Sequence, residues 1–537
     1  MSVSLQFCGA AKTVTGSCYW LTTDSCSFLV DCGMFQGTKT VKELNYGEFP
    51  FVANEIDFVL LTHAHTDHAG LLPKLYKAGF SGPTYMTRGT RDLLSFMLPD
   101  SGYIQEMEVA QLNTRNARRG RPQVQAIYTK KEAQECQTFF RTIEYETWLE
   151  LPAGIRARYW NAGHILGSAS IEIEIPTGRS CLKLLFSGDI GPDHKLFHPD
   201  PEASTDYDYL ISESTYGGER RVKASPTKRR AFLAREVNDA LRGNGILLIP
   251  SFAVERTQEL LADLSILQFK DDIPRVPIFV DSPMAIRATE VFREHAIELE
   301  DLGGSPGLLD NPHLHFTQSS DESRAINRFR SGVIILSASG MCDAGRIRHH
   351  LKHNLWRSNA TVMIVGHQAE GTLGRLLVDG ATAVRIQGEE IQVRARIKQI
   401  DAYSGHADGS ELVQWVKERQ PIHRALFLTH GESYAATAMR EDLVKAGLDA
   451  KNIRLPELDD CIDLISGRKV IRHQRAPIRL DPKAITALDW HNELAQFQLD
   501  LQDAFDKAAD KRSRGNLLRR LRRALDTEKT RARPRKE

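Results

Sequence analysis

Six consecutive residues carry the densest potential chemistry in this chain. His63, His65, Asp67 and His68 form the pattern H-x-H-x-D-H directly after the apolar run 58–61. That run is too short for a helix and predicts a buried strand, so the four side chains would lie in a tight loop at its C-terminal end. Imidazole and carboxylate ligands with open positions suit catalytic rather than structural zinc. The first two residues could hold one divalent ion, and the last two a neighbouring ion.

A two-metal site needs more ligands than one loop supplies, and three other residues stand in a similar setting. His164, Asp189 and His430 each follow a short strand-like stretch and open a loop. A lone histidine after a strand is more often structural, but the three positions together repeat the arrangement of the first motif. The sequence therefore predicts that ligands from distant parts of the chain gather at one edge of a pair of sheets.

Such a site could hydrolyse a phosphodiester. Two ions roughly 3.5–4 Å apart activate a hydroxide and neutralise charge, and a carboxylate such as Asp189 could bridge them. Zinc lowers the pKa of bound water toward about 7, so metal-bound hydroxide is available as the nucleophile at neutral pH. Asp67 could both ligate a metal and orient that hydroxide. The leaving oxygen would still need a proton, which a histidine can supply near neutral pH.

These motifs resemble those of the metallo-β-lactamase superfamily and, within it, the β-CASP nucleases that process RNA. The resemblance covers roughly residues 1–470. The first-metal ligands that it implies are His63, His65, His164 and Asp189. The second-metal ligands that it implies are Asp67, His68, Asp189 and His430, with Asp189 as the bridge.

The same resemblance assigns further roles. Asp31 matches the early aspartate that orients the histidine loop, Glu213 matches motif A, and His406 matches motif B. His406 would be the general acid, with Glu213 holding its tautomer and raising its basicity. His430 matches motif C, where a histidine is typical of the RNA-processing branch and an aliphatic residue of the DNA-repair branch. The chain is most similar to bacterial and archaeal relatives of the endonuclease subunit of the cleavage and polyadenylation specificity factor.

Length and composition agree with an ordinary globular protein. The 537 residues predict two or three domains, and 41% hydrophobic and 26% charged residues are usual values. No run of 18 apolar residues and no N-terminal signal pattern is present, so we expect a cytoplasmic location. The eight cysteines form no C-x-x-C pair, which predicts buried reduced thiols.

The order of elements predicts an α/β architecture. Residues 1–212 suit the first part of a metallo-β-lactamase αββα sandwich, and 395–474 suit its second part, which returns His406 and His430. Between them, 213–394 suit an inserted β-CASP domain with a mostly parallel sheet. Its strand-then-helix units are predicted at 245–250 with 255–267, 276–280 with 284–295, 332–336 with 346–355, and 361–365 with 374–378. The active site would lie between the two domains.

Two small-residue loops of the insert, 337–341 and 370–375, could bind phosphate through backbone amides. Plain strand-to-helix turns explain them equally well. The family resemblance favours RNA backbone contacts for Ser337, Ser339 and Ser404. Eight other histidines are interpreted as structural. They are His194, His198, His313, His315, His349, His350, His353 and His367.

The last part of the chain, 475–537, lies outside the resemblance and predicts a helical extension with a basic tail. Apolar residues from Trp490 to Ala508 recur at helical spacing. Residues 511–537 hold twelve Lys or Arg and three Asp or Glu, a net of +9 in a chain of net +1, so the rest totals −8. The tail could hold RNA phosphates by counterion release, or it could be a solvated end.

The sequence thus predicts a ribonuclease with two zinc ions per chain, manganese being the alternative metal. Its expected partners are single-stranded RNA and a second copy in a homodimer. A thioester or small-molecule hydrolase of the same superfamily is one alternative, which the large insert and the Glu213/His406 pair disfavour. A non-catalytic RNA-binding scaffold is another, which the intact ligand set disfavours. Cleavage within the RNA or from its 5′ end stays open.

Overall fold

The computed structural model describes most of the chain. The described residues are 2–37, 39–178, 180–221, 225–299, 306–366, 368, 371–470, 479, 501, 504–505, 507–508 and 510–531. The chain divides into two units, one of 1–37 and 41–485 and one of 38–40 and 486–537. His367 and most of the helix predicted from Trp490 onward lie outside the described residues.

The strands are β1 (Val3–Phe7), β2 (Tyr19–Thr23), β3 (Ser27–Val30), β4 (Phe58–Leu60), β5 (Thr84–Met86), β6 (Phe140–Thr142), β7 (Leu149–Glu150), β8 (Arg156–Asn161), β9 (Ala169–Thr177), β10 (Ser180–Phe186), β11 (Tyr207–Glu213), β12 (Ile246–Pro250), β13 (Ile278–Val280), β14 (Leu314–Phe316), β15 (Val333–Ser337), β16 (Ala360–Val365), β17 (Ala383–Ile386), β18 (Glu389–Gln392), β19 (Arg396–Ile400), β20 (Ile422–Thr429), β21 (Ile453–Arg454), β22 (Cys461–Asp463) and β23 (Arg468–Val470).

The α-helices are α1 (Lys39–Glu43), α2 (Thr66–Ala69), α3 (Leu72–Lys77), α4 (Arg88–Arg118), α5 (Lys130–Glu135), α6 (Pro226–Leu241), α7 (Arg256–Phe269), α8 (Pro283–Glu294), α9 (Ser320–Ile326), α10 (Ile347–Asn354), α11 (Leu373–Val378), α12 (Gly409–Glu418), α13 (Ser433–Lys445) and α14 (Lys511–Arg531). Short 3₁₀ turns occupy Ala53–Glu55, Cys136–Phe139, Pro152–Gly154 and Pro306–Leu309.

Two sheets form the sandwich. Their strand orders are β23-β22-β1-β2-β3-β4-β5-β6 and β21-β20-β11-β10-β9-β8-β7. Alternate side chains of the two inner faces pack together, with Phe28 and Phe58 from the first sheet in one buried cluster with Ile171 and Phe427 from the second. Side chains point alternately to the two faces of a strand, so the intervening residues must be covered from outside.

Helices cover the two outer faces. Val59 of the first sheet packs in a cluster with Leu72 of α3, and Leu426 of the second sheet packs with Leu412 of α12. The predicted αββα sandwich is therefore confirmed. All eight cysteines are free thiols. Among the described residues, no helix is both long and apolar enough to cross a membrane.

The inserted domain is built on a third sheet, ordered β14-β13-β15-β12-β16-β19, in which every pairing is parallel. Both faces are buried, since neighbouring residues such as Leu247 and Leu248 belong to different clusters. This explains the near-continuous apolar strands in the sequence. All four predicted strand-then-helix units are present, as β12–α7, β13–α8, β15–α10 and β16–α11. Strand β19 extends the sheet beyond the expected boundary at residue 394.

Candidate metal centre

Strand order explains how distant residues meet at one edge of the sandwich. In the second sheet β10, β11 and β20 are parallel neighbours, so their C-terminal ends lie side by side. Asp189, Glu213 and His430 lie at or just beyond these three ends. The H-x-H-x-D-H loop joins them from the end of β4 in the first sheet, and His164 joins them from the loop between β8 and β9. The parallel pairing therefore gathers residues separated by more than 200 positions in sequence.

One group of four donor atoms surrounds a single point. His65 Nδ1 lies 3.2 Å from His63 Nε2 and 3.1 Å from His164 Nε2. Asp189 Oδ2 lies 3.4 Å from His63 Nε2 and 3.5 Å from His164 Nε2. All four residues can offer a ligand atom to one ion. The structure brings together the four residues predicted to hold the first metal.

A second group adjoins the first. His68 Nε2 lies 3.1 Å from His430 Nε2, and Asp67 Oδ2 lies 3.6 Å from His430 Nε2. These three residues form a separate candidate metal-binding group. Asp189 Oδ1 lies 3.2 Å from His68 Nε2 and 3.4 Å from His430 Nδ1. Asp189 therefore turns one carboxylate oxygen toward each group.

The donor spacing fits zinc. Tetrahedral bonds of about 2.0–2.1 Å place ligand atoms roughly 3.3–3.4 Å apart, and the first group spans 3.1–3.5 Å. Asp189 Oδ1 is buried and accepts no hydrogen bond from any residue that the structure describes. A buried carboxylate oxygen left this way is costly unless a cation completes its surroundings. The residues present thus suit a metal on both sides of Asp189.

Three of the buried histidines have a partner at their second ring nitrogen. His164 Nδ1 lies 2.6 Å from the carbonyl oxygen of Gly405, and His430 Nδ1 lies 3.1 Å from the Thr215 hydroxyl. His63 Nδ1 lies 3.1 Å from the Thr62 hydroxyl. Such contacts fix the ring orientation and the tautomer of a metal-binding imidazole. Thr62 and Thr215 carry no metal-ligand signal of their own, so sequence patterns did not identify them.

Asp31 contacts the histidine loop through both of its carboxylate oxygens. Its Oδ1 accepts the backbone N–H of Thr62 at 2.8 Å. Its Oδ2 accepts the Thr62 hydroxyl at 2.9 Å and lies 2.7 Å from His68 Nδ1. The side chain is 1% exposed. These contacts tie Asp31 to both ends of the histidine loop, where the family resemblance leads us to expect an orienting aspartate.

Burial and local charge divide the histidines into two kinds. Burial, aided by the neighbouring His63, lowers the pKa of His65 to about 3, and burial also lowers the pKa values of His63 and His164. These three imidazoles are neutral at pH 7 and can donate lone pairs. Burial opposes protonation of His68, yet Asp189 and Asp31 raise its pKa well above the ordinary value. A second cation bound beside His68 would compensate the negative charge of Asp189 and Asp31 in place of that proton.

Glu213 and His406 lie together beside Asp189. His406 Nδ1 is 3.3 Å from Glu213 Oε2 and 4.0 Å from Asp189 Oδ2. Glu213 is fully enclosed, and its Oε1 also accepts the backbone N–H of Ile190. His406 keeps 20% of its side chain exposed. The pair therefore has a fixed, buried acid and a histidine that reaches the surface of the centre.

The three serines predicted to bind phosphate have different surroundings. Ser337 is 2% exposed, and its hydroxyl donates to the carbonyl oxygen of Asp281 at 2.7 Å, which favours a structural role. The Ser404 hydroxyl accepts the N–H of His406 at 3.2 Å and so shapes the turn that carries this histidine. Ser339 is half-buried in the loop after β15.

A buried charged cluster behind His164 was not predicted. Lys195, His198 and Glu255 all lie close together and are nearly inaccessible to solvent. His198 was interpreted as structural, and its ring does pair with Glu255 at 2.8 Å. Nothing in the local sequence around Glu255 indicates a contact with a loop nearly 90 residues earlier.

The two sheets, the insert and the paired histidine–aspartate groups define a metallo-hydrolase. Residues 11–217 match the family model described as the metallo-beta-lactamase superfamily, and 257–377 match the Beta-Casp domain. Residues 390–456 match the Zn-dependent metallo-hydrolase RNA specificity domain. His406 and His430 fall in this last segment.

Curated relatives match most of the chain. Ribonuclease TTHA0252 of Thermus thermophilus is 34% identical over 459 residues, covering 84% of this chain and 98% of that protein. Transcription termination factor FttA of Methanosarcina mazei is 31% identical, covering 81% of this chain and 68% of that protein. An RNase J-like protein of Methanocaldococcus jannaschii is 30% identical, covering 80% and 93%. The chain belongs to the β-CASP family of metallo-β-lactamase-fold nucleases, which confirms the resemblance found in its sequence.

Proposed function

We propose that this protein is a ribonuclease that hydrolyses RNA phosphodiester bonds with two zinc ions. The observation that carries the proposal is the position of Asp189, which turns Oδ2 toward His63 and His164 and Oδ1 toward His68 and His430. A carboxylate shared in this way suits two adjacent ions. Bound zinc would supply charge neutralisation and a water whose pKa is lowered toward about 7.

RNA is the substrate class that the relatives favour. The Thermus thermophilus relative is named a ribonuclease, and the family model over 390–456 is named for RNA specificity. Unpaired RNA is the expected form, because a single strand can bend into a centre enclosed by loops. A homodimer in a cytoplasmic setting remains our expectation, and light scattering on the purified protein would test the dimer.

Within the centre, Asp67 is assigned the orientation of the attacking water. Its carboxylate is 21% exposed, whereas the Asp189 side chain is 1% exposed, so Asp67 combines a ligand position with access to solvent. Asp67 Oδ2 is also 3.6 Å from His430 Nε2, which keeps the carboxylate directed into the second group. An oriented carboxylate can accept a proton from the water as it attacks.

His406 is assigned the delivery of a proton to the leaving oxygen. Its side chain is 20% exposed, and Glu213 lies against its Nδ1. Glu213 accepts from Nδ1–H and leaves Nε2 facing substrate, so the doubly protonated ring, whose positive charge Glu213 also balances, can give its Nε2 proton to the leaving oxygen. Glu213 thus acts as a positioning residue for His406.

The first test is cleavage of an end-labelled single-stranded RNA, with a DNA of the same sequence as control. Wild type and Asp67→Ala are compared, and the metal content of both is measured. We expect RNA cleavage by the wild type and loss of at least 100-fold in the variant, since the variant removes a ligand and a water-orienting group. The fragment pattern separates internal cleavage from 5′ digestion. An inactive wild type carrying two zinc ions would contradict the proposal.

His406→Ala tests the general acid separately from the metals. We expect zinc content to be unchanged and turnover to fall by about 10²–10⁴-fold, the usual contribution of a positioned acid. A substrate with a good leaving group, such as a nitrophenyl phosphodiester, should be affected much less because it needs no proton. Equal loss on both substrates would assign His406 another role.

A further inference from the structure

Glu255 reaches from the inserted domain into the sandwich domain. It lies between β12 and α7 and is 3% exposed. Its Oε2 accepts the backbone N–H of Leu166 at 3.0 Å. Leu166 is two residues beyond His164, in the same loop. The inserted domain therefore holds the loop that carries a proposed ligand of the first metal.

The same carboxylate acts on that loop by a second route. Glu255 Oε1 lies 3.3 Å from Lys195 Nζ and 2.8 Å from His198 Nε2. Lys195 Nζ in turn donates to the carbonyl oxygen of His164. The Lys195 side chain is 2% exposed, so its charge depends on Glu255 for compensation. Both routes end on the backbone of the loop at or beside His164.

The backbone at Glu255 is an outlier. Its φ is 71° and its ψ is −69°, and the N–H of Arg256 donates to the carbonyl oxygen of Val254 at 3.0 Å. These values define a γ-turn of the rare strained kind. Any residue other than glycine is strained in this backbone conformation. Such a conformation persists only where contacts with the surrounding structure hold it in place. Glycine would relieve the strain, so the contacts of the glutamate side chain must offset it.

Other contacts to this loop come from the sandwich domain itself. The Ser168 hydroxyl accepts the N–H of His164 at 3.0 Å, and Thr87 donates to the carbonyl oxygen of Gly167 at 2.6 Å. The Leu166 N–H is buried, and Glu255 is the acceptor that satisfies it. Removal of the carboxylate would leave that donor unpaired and the lysine charge uncompensated.

We propose that Glu255 is a positioning residue that fixes His164 and so couples the affinity of the first metal site to the placement of the inserted domain. The inference rests on the metal site of the proposed function. It predicts that a change at a residue of the inserted domain that is not itself a ligand alters metal binding. A shift of the inserted domain would therefore lower the affinity of the first metal site before that of the second.

The test is zinc retention by the full-length holoenzyme during titration with a chelator. His430→Ala identifies the step that belongs to the second ion, because it removes a second-group residue only. We expect Glu255→Gln to weaken the first site by about 10–100-fold, the usual effect of losing a partner behind a ligand, while the second step stays in place. The spectrum of cobalt(II)-substituted protein should change in the same variant, since ligand geometry sets its bands.

Two further variants separate positioning from stability. Asp281→Asn alters another buried carboxylate of the inserted domain, which bonds His350 and Arg346 and touches no part of the His164 loop. We expect it to lower the melting temperature without changing zinc affinity. Glu255→Gly relieves the strain of the γ-turn, so this variant should be more stable than Glu255→Ala. It should nevertheless bind the first zinc as weakly as Glu255→Ala does.

The outcomes are distinct. Wild-type zinc affinity in Glu255→Gln and Glu255→Gly, with only a fall in melting temperature, would overturn the proposal. If Glu255→Gln does not fold, Glu255→Gly and Lys195→Met still test it, because Lys195→Met removes the hydrogen bond to His164 from the other side. A wild type that holds fewer than two ions would overturn the proposed function as well. RNA cleavage is not needed for any of these readouts.

Discussion

Replacing Asp31 by asparagine should remove the second metal before the first. The carboxylate accepts three contacts, from the Thr62 N–H, the Thr62 hydroxyl and His68 Nδ1. If the new asparagine places its amide nitrogen at the Oδ1 position, that N–H donor faces the backbone N–H donor of Thr62, and no hydrogen bond forms. At the Oδ2 position it would donate to His68 Nδ1 and move the ring proton to Nε2. Nε2 is the atom that faces His430 and Asp189, so this tautomer cannot bind a metal there.

The expected magnitude follows from the hydrogen bond that the substitution removes. A hydrogen bond to a charged group contributes about 1.5–3 kcal/mol. At about 1.4 kcal/mol per tenfold, the second zinc should bind about 10–100-fold more weakly. This range agrees with the usual cost of losing a partner behind a metal-binding histidine. The side chains of Asp31 and His68 are 1% and 2% exposed, so water cannot readily take the place of the carboxylate oxygen.

The assay is competition for zinc between the protein and a chelator, with metal content measured at each step. Asp206→Asn is the matched control, because Asp206 lies 2.7 Å from His423 Nε2 in an aspartate–histidine pair whose side chains are more than half exposed. We expect the control to retain both ions at wild-type affinity. Retention of the second zinc by Asp31→Asn, or loss of the first zinc ahead of it, would refute the tautomer argument.

Three other changes should have separable effects. Burial opposes ionisation of Asp281, but hydrogen bonds from His350 and Ser323 hold its pKa well below the usual range. The ionised Asp281 therefore stabilises the folded protein at pH values above the pKa of an unfolded aspartate, about 4. This stabilisation is lost as the pH falls toward the pKa of Asp281 in the folded protein. Below about pH 4, urea unfolding of Asp281→Asn should therefore depend less on pH than unfolding of the wild type. Phe427→Ala removes a ring whose centroid lies 5.1 Å from that of Phe7. The cavity left behind should lower the free energy of unfolding, measured in urea, by about 3–5 kcal/mol. Deletion of 511–537 should weaken RNA binding and reduce the slope of log K against log salt by about 0.7 for each phosphate that the tail neutralises, whereas unchanged binding would exclude a role for the tail.

The sequence identified the candidate ligands more readily than the residues that hold those side chains in place. The H-x-H-x-D-H loop, Asp189 and His430 were recognisable because each follows an apolar strand and bears a metal-competent side chain. Their convergence depends on β20 pairing with β11, about 200 residues earlier, and no local pattern specifies that pairing. The family resemblance supplied this information.

Residues that act through backbone contacts gave no such signal. Glu255 has a positive φ without being glycine, and its partner Leu166 is an ordinary apolar residue. The strand β19 is rich in charge, with Arg396 and Lys398, because it lies at an edge of its sheet, so its apolar pattern is weak. The predicted boundary at residue 394 therefore fell before this strand.

The chain order of the centre has a consequence for biosynthesis. The first group of donors is complete once Asp189 has been made, but the second group waits for His430 and the assigned acid waits for residue 406. At about 5–20 residues per second, a ribosome needs about 20–90 s to reach residue 430. Until then the nascent protein lies close to its own messenger RNA with half of its hydrolytic centre missing. Hydrolysis therefore has to wait until the strand that precedes residue 430 has been made and has paired with its neighbour in the sandwich.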